Sequence, residues 1–178
     1  MAPTLRRRFT LGAARALHSA LRPISGLATR GLPRVYGVPV LGAGNDWERL
    51  HGRLEEALAL IQRVQPSRLK RFSRSLSGVF ITGSRRLHGH YGRITGTCTL
   101  DRGLLATLPI EELAEHLVYC ATEAALWRGG VGKTGLEEDR LHIAAARAAE
   151  LFCDRLASMP PAPSPSGPEH WQPPANRL

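Results

Sequence analysis

Apolar positions along the chain fall into a few stretches of clear period, separated by glycine, proline and charge. Trp47, Leu50, Leu54, Ala57, Leu58 and Ile61 recur at the spacing of one helix face. Asn45 can cap that helix, with Glu48 three residues on, and Pro66 biases Gln65 away from helical backbone, so the pattern predicts an end near Val64. Ser67 can cap a second helix, "SRLKRFSRSLSG", with Leu69, Phe72 and Leu76 on one side and Gly78 as its stop. The pattern then changes. "VFIT" (79–82) and "RITGTCTL" (93–100) have the β-branched, threonine-rich composition of strands, and their closeness predicts a hairpin joined through "GSRRLHGH".

A helical period returns at Pro109, a residue suited to the first helical position, and Glu111 and Glu112 follow where the positive end of the helix dipole favours acids. This segment, 109–128, carries the strongest helix signal in the chain. At about 100° per residue, Ile110, Leu113, Ala114, Leu117, Val118, Ala121, Ala124 and Ala125 share one broad face. Tyr119 and Glu123 point the other way, and His116 and Cys120 lie on the margin. Gly129 and Gly130 end the helix, and "TGLE" (Thr134 to Glu137) forms a capping box that opens a last helix over about 135–157. These elements predict one α+β domain over residues 45–158, mostly helical, with a small antiparallel strand element packed on the 109–128 helix.

Composition adds the two ends. The net charge of +9 is unevenly placed: residues 1–44 contain no Asp or Glu, while Arg6, Arg7, Arg8, Arg15, Arg22, Arg30 and Arg34 are all present. The segment reads as a basic, flexible arm drawn to an anionic surface, either lipid or nucleic acid. Its start, "LRRRFTLGAARALHSAL", has features of an export or transit signal within residues 1–30, but Arg15, His18 and Arg22 interrupt the apolar run such a signal uses. The Pro-rich stretch 159–178 reads as a disordered tail. Three cysteines without a CxxC pair argue against a disulfide framework and for a reducing, cytoplasmic location, membrane-peripheral where the arm meets lipid. No apolar run is long enough to span a bilayer.

"RGGVGKT" (128–134) is one letter from the "KGGVGKT" of deviant P-loop ATPases. A P-loop needs a buried strand feeding a glycine turn onto a helix N-terminus. Here the preceding segment has a helical period, Trp127 stands where a Walker sequence has glycine, and Arg128 replaces the signature lysine. The glycines read as a helix stop and Thr134 as the next cap, so no nucleotide is expected.

The run "TCTLDRGLL…PIEELAEHLVYCATEAALWRGGVG…DRLHIAAARAAELFCDRL" resembles a family of uncharacterised bacterial zincin-like proteins, in which a "TCxLD" strand precedes a helix reading "HEATHAR". The likeness runs from about Leu54 to Leu156 and rests on segment order and spacing. It implies a zincin-like fold. In an HExxH helix two histidines one turn apart bind zinc and the glutamate activates a metal-bound water. Carried over by position, Tyr119 stands for the first histidine, Cys120 for the general base and Glu123 for the second histidine. His142, in "RLH", stands for the acidic third ligand of the next helix. A phenol binds zinc only after losing a proton near pH 10, and a thiol does not replace the glutamate base.

The resemblance therefore implies a pseudoenzyme with its peptidase chemistry lost, an unknown partner, no resident cofactor and no assigned catalytic residue. Two alternatives stay open. Cys120, Glu123, His142 and nearby His116 are all metal-ligand types and can form a rebuilt zinc site with residual hydrolase activity. Alternatively, the domain is a basic binding module for anionic lipid or nucleic acid, with Arg68, Lys70, Arg71 and Arg74 as its anion-facing surface. His88 and His90 share a side in a strand but lack a third ligand, and they read as part of a Gly-rich loop. Tyr91 matches a Gly-Arg-Tyr-like step of the resembled family, which implies a structural, partly buried role.

Overall fold

The computed structural model describes residues 31–42, 45–83, 90–93, 95–131 and 135–160. In chain order the elements are β1 (Arg34–Val35), β2 (Val38–Leu41), α1 (Trp47–Val64), α2 (Pro66–Ser75), β3 (Gly78–Thr82), β4 (His90–Gly92), β5 (Thr97–Asp101), α3 (Arg102–Thr107), α4 (Ile110–Gly129) and α5 (Gly135–Ala157). The fold is α+β and mostly helical, as the periodicity predicts.

The strand element departs from expectation. It is a five-stranded mixed sheet of order β1-β2-β3-β5-β4, in which β2/β3 and β3/β5 run parallel while β1/β2 and β4/β5 run antiparallel. "VFIT" and "TCTL" are neighbours, but as parallel strands in the register Val79↔Cys98 and Ile81↔Leu100, so they cannot be joined as a hairpin. The hairpin partner of β5 is β4. Gly96, at φ 69°, supports the turn between them, and its N–H donates to the Gly92 carbonyl at 2.7 Å.

A second correction concerns the expected arm. Its last part, Arg34–Leu41, forms β1 and β2, and Val35, Val38 and Val40 are core residues. Tyr36 and Gly37 join the two strands with φ of 48° and 79°, the paired left-handed backbone of a two-residue hairpin turn. Residues 1–30 and the tail beyond residue 160 lie outside the described residues.

α4 is the centre of the molecule. It packs against α1 and α2, along α5, and against β4 and β5. Contact on several sides explains why its burial is not confined to one stripe. Cys120, Thr122 and Glu123 are buried along with Leu113, Leu117, Val118 and Trp127, which corrects the expectation that Glu123 faces away from the core. Gly130, at φ 103°, stops α4, and Val131 N–H donates to the Leu126 carbonyl at 3.0 Å. The segment entering "GGVGKT" is therefore a helix where a P-loop has a strand, and its Trp127 is a core anchor; Lys133 and Thr134 lie outside the described residues.

α1 begins at Trp47, with Asp46 rather than Asn45 at the cap position. The Asp46 side chain makes no cap bond there; it accepts from Arg102 Nε at 3.1 Å, and this hydrogen bond holds its carboxyl below the usual range. Arg53 on α1 donates from Nε to the Leu105 carbonyl at 2.7 Å, tying α3 beneath α1. Among the described residues no helix is long and apolar enough to cross a membrane.

Candidate functional site

The three positions that stand for the HExxH letters project from α4 into three different environments. Tyr119 is half-buried, and its hydroxyl shares a 2.8 Å hydrogen bond with Nδ1 of His142 on α5. Thus the two residues that stand for first and third ligand do meet, across the α4–α5 seam. Burial pushes the Tyr119 phenol up, the Glu123 carboxylate and the Cys120 side chain add to this, and Arg93 opposes it. The phenol therefore stays protonated near neutral pH.

Cys120 points inward and has no exposed surface. Its Sγ lies 3.7 Å from Nε2 of His116, one turn earlier on α4, and the Cys98 side chain of β5 is also beside it. The Cys98 contact and burial push the Cys120 thiol well above its ordinary range, against a smaller opposite pull from His116. A thiol held protonated in this way is neither a nucleophile nor a base at neutral pH. Cys98 is equally buried, whereas Cys153 on α5 is partly accessible, with a thiol pushed up to about 11 chiefly by burial. Alkylation of the folded protein with iodoacetamide at mildly alkaline pH should therefore modify Cys153 first. Cys98 and Cys120 should react only at the rate of unfolding or local opening, orders of magnitude more slowly. Fast labelling of Cys120 would contradict the burial and protonation argued for it.

Glu123 is 5% exposed, and its carboxylate lies 3.7 Å from the Arg93 guanidinium. Arg93, in the turn after β4, also donates to Glu138 of α5 at 2.8 Å, and its guanidinium sits 4.9 Å above the centre of the Trp127 ring. One cation thus links β4, α4 and α5 at the position that stands for the second zinc ligand. Sequence reasoning missed Arg93. Its only local signal is a place in "YGRI" beside a buried tyrosine, which says nothing of a carboxylate thirty residues later.

The expected ligand types are divided rather than gathered: His116 with Cys120, Tyr119 with His142, and Glu123 with Arg93. Among the described residues no three His, Cys, Asp or Glu side chains come close enough together to hold a metal ion. An open groove of about 570 Å³ runs along the α4–α5 seam, lined by Glu112, Glu115, His116, Tyr119 and Glu150 among others. His88 lies outside the described residues, His90 opens β4 in register with Thr99, and Tyr91 is buried at 3% exposure.

Of the expected anion-facing residues, Lys70, Arg71 and Arg74 are exposed on α2, and Arg68 is half-buried. Arg68 donates from Nε to Gln65 Oε1 and from Nη1 to Thr122 Oγ1, each at 3.2 Å. Arg128 of α4 donates to the Arg74 carbonyl, fastening the end of α2. No protein-family model matches the chain, and neither a curated protein nor a solved structure matches it.

Proposed function

We propose that the chain is a zincin-like pseudoenzyme: a scaffold that acts by binding, in which the ligand and base positions of an HExxH helix have been turned over to structural contacts. The observation that carries this reading is Arg93 at Glu123. A guanidinium supplies positive charge to the carboxylate at the second-ligand position, and a second cation there would be repelled. The other positions support the same reading. Tyr119 is engaged by His142 as a protonated phenol, and Cys120 is a buried thiol that cannot activate a water. These donors do not fit a hydrolytic zinc site, so no metal-dependent step is assigned to them.

The test is reconstruction. A ligand-only variant carries Tyr119→His, Glu123→His and His142→Glu, with Arg93→Gln to remove the competing cation; Cys120 stays, because a general base is not needed for binding. Metal is quantified by plasma mass spectrometry after zinc loading and dialysis, and folding is followed by circular dichroism. The expected result is about one zinc per chain in the variant and no stoichiometric zinc in the natural protein. A folded variant without zinc would remove the zincin-like reading. Stoichiometric zinc in the natural protein, lost on changing Cys120 or His142, would replace it with the rebuilt-site alternative.

A further inference from the structure

The open groove of about 570 Å³ on the α4–α5 seam has the size of a small-ligand site, a class that spans about 300 to 1,000 Å³. Its charge is opposite to that of the chain. The protein carries a net charge of +9, yet Glu112 and Glu115 of α4 and Glu150 of α5 line the groove and no Lys or Arg does. Leu108, Ala146 and Ala149 supply its apolar lining, and the shortness of the two alanines leaves the space open. His116 and Tyr119 form an aromatic wall, with rings inclined by only 12° and centres 6.5 Å apart. The 2.8 Å hydrogen bond to His142 holds the Tyr119 ring in place. Among the described residues no Lys, Arg or His nitrogen lies within 4.0 Å of the carboxylates of Glu112, Glu115 or Glu150. These acids are also not gathered tightly enough to hold a metal ion. They are spread along the groove, which suits an extended cation.

Negative charge set beside aromatic rings and an apolar lining selects an organic cation. We propose that the groove binds an arginine side chain of a partner peptide, with its guanidinium answered by Glu112, Glu115 and Glu150. A guanidinium fits this lining better than an ammonium. Its planar fork pairs with carboxylate oxygens and its face stacks on rings, whereas an ammonium is a strongly hydrated point charge. The length of the groove calls for the whole side chain. The interval from Glu112 to Tyr119 spans about 10 Å of α4. The methylenes of an arginine can cover Leu108 and the alanines while its charged end reaches the acids. An arginine ligand rests on the reading of the chain as a binding scaffold proposed above. No zinc enters its test, so either can fail without the other. Glu111 and Glu112 look alike in the sequence, as first-turn acids of α4, and only the packing of α5 makes Glu112 part of a groove.

The experiment titrates the full chain with N-acetyl-L-arginine amide at constant ionic strength and follows backbone amide resonances by NMR. Saturable shifts at Glu112, His116, Ala146 and Ala149 are expected, with a Kd of about 1 mM, ordinary for a ligand of this size. The lysine analogue should bind about threefold more weakly, and the uncharged citrulline analogue about tenfold or more. Methylguanidinium, which lacks the rest of the side chain, should bind about fivefold more weakly. Glu112→Gln combined with Glu150→Gln should weaken arginine binding about tenfold. Both residues are exposed, so this variant should fold. The control pair Glu56→Gln and Glu111→Gln removes the same charge from exposed positions outside the groove and should change the affinity less than about twofold. Shifts that stay linear up to about 20 mM would overturn the proposal. Equal weakening by the control pair would do the same, since it would indicate attraction to charge in general. Binding of the lysine analogue as tight as that of arginine would overturn the guanidinium assignment. Equal binding of methylguanidinium would overturn the assignment to a peptide side chain.

Discussion

Changing Arg93 to alanine should lower the unfolding free energy by about 3 kcal/mol near neutral pH, the cost typical of taking one partner from a buried charge pair. The size follows from burial. Glu123 is shielded from water, with only 6% of its side chain accessible, so solvent cannot replace the guanidinium that faces it. The second contact of Arg93 is closer but weaker in effect. Glu138 keeps 37% of its side-chain surface, and water and salt screen that pair, so Glu138→Ala should cost under about 1 kcal/mol. The distance order, 2.8 Å to Glu138 against 3.7 Å to Glu123, is thus the reverse of the energetic order. A second variant separates a stranded charge from a lost contact. Changing Arg93 and Glu123 together to methionine removes both charges and fills the space, and should recover most of the stability lost by Arg93→Ala. Urea denaturation of the variants decides between them. A loss in Arg93→Ala no larger than that in Glu138→Ala would mean that Glu123 does not depend on this cation.

How much of this was readable before the structure depends on how local each feature is. The limits of α4 and α5 were legible because proline, glycine and acidic first turns are cues within the helix itself, and both helices fall close to the expected residues. The strands were legible as strands. Their pairing was not, because a parallel contact between β3 and β5 leaves no mark in either segment, and the short connecting sequence argued for a hairpin. "VYGVPVL" reads as part of the arm because its Gly and Pro content suggests a linker, yet Val35, Val38 and Val40 are buried in a two-strand turn. At the site, the hydrogen bond between Tyr119 and His142 joins two helices and has no signal in either segment. A helical projection puts Cys120 at the margin and Glu123 on the outer side because it assumes one buried face. α4 is packed by helices on two flanks and by the sheet, so that assumption fails for it. Arg93 belongs to contacts between distant segments, which no window along the chain contains.

Trp127→Ala should be the most damaging of these changes, at about 4 kcal/mol, because it removes the largest fully buried side chain among the described residues and leaves a cavity that helix-borne neighbours cannot close. For a domain of this size that corresponds to a fall of roughly 10 °C in melting temperature. Two effects are combined in it. The first is volume, which Trp127→Phe would largely preserve at a cost of about 1–2 kcal/mol. The second is the ring face under Arg93, whose guanidinium lies 4.9 Å from the ring centre. A cation over an indole contributes about 0.5–2 kcal/mol, more when water is excluded. The two residues share Glu123 as a neighbour in the sense that the ring seats the cation and the cation answers the carboxylate. Losses from Trp127→Ala and Arg93→Ala should therefore not add: the double variant should be about 1 kcal/mol more stable than the sum of the single losses predicts. Strict additivity would show that Trp127 acts only by filling space. Arg93 would then be held by its carboxylates alone, and the tryptophan that stands in place of a P-loop glycine would owe its position to packing and to nothing at the site.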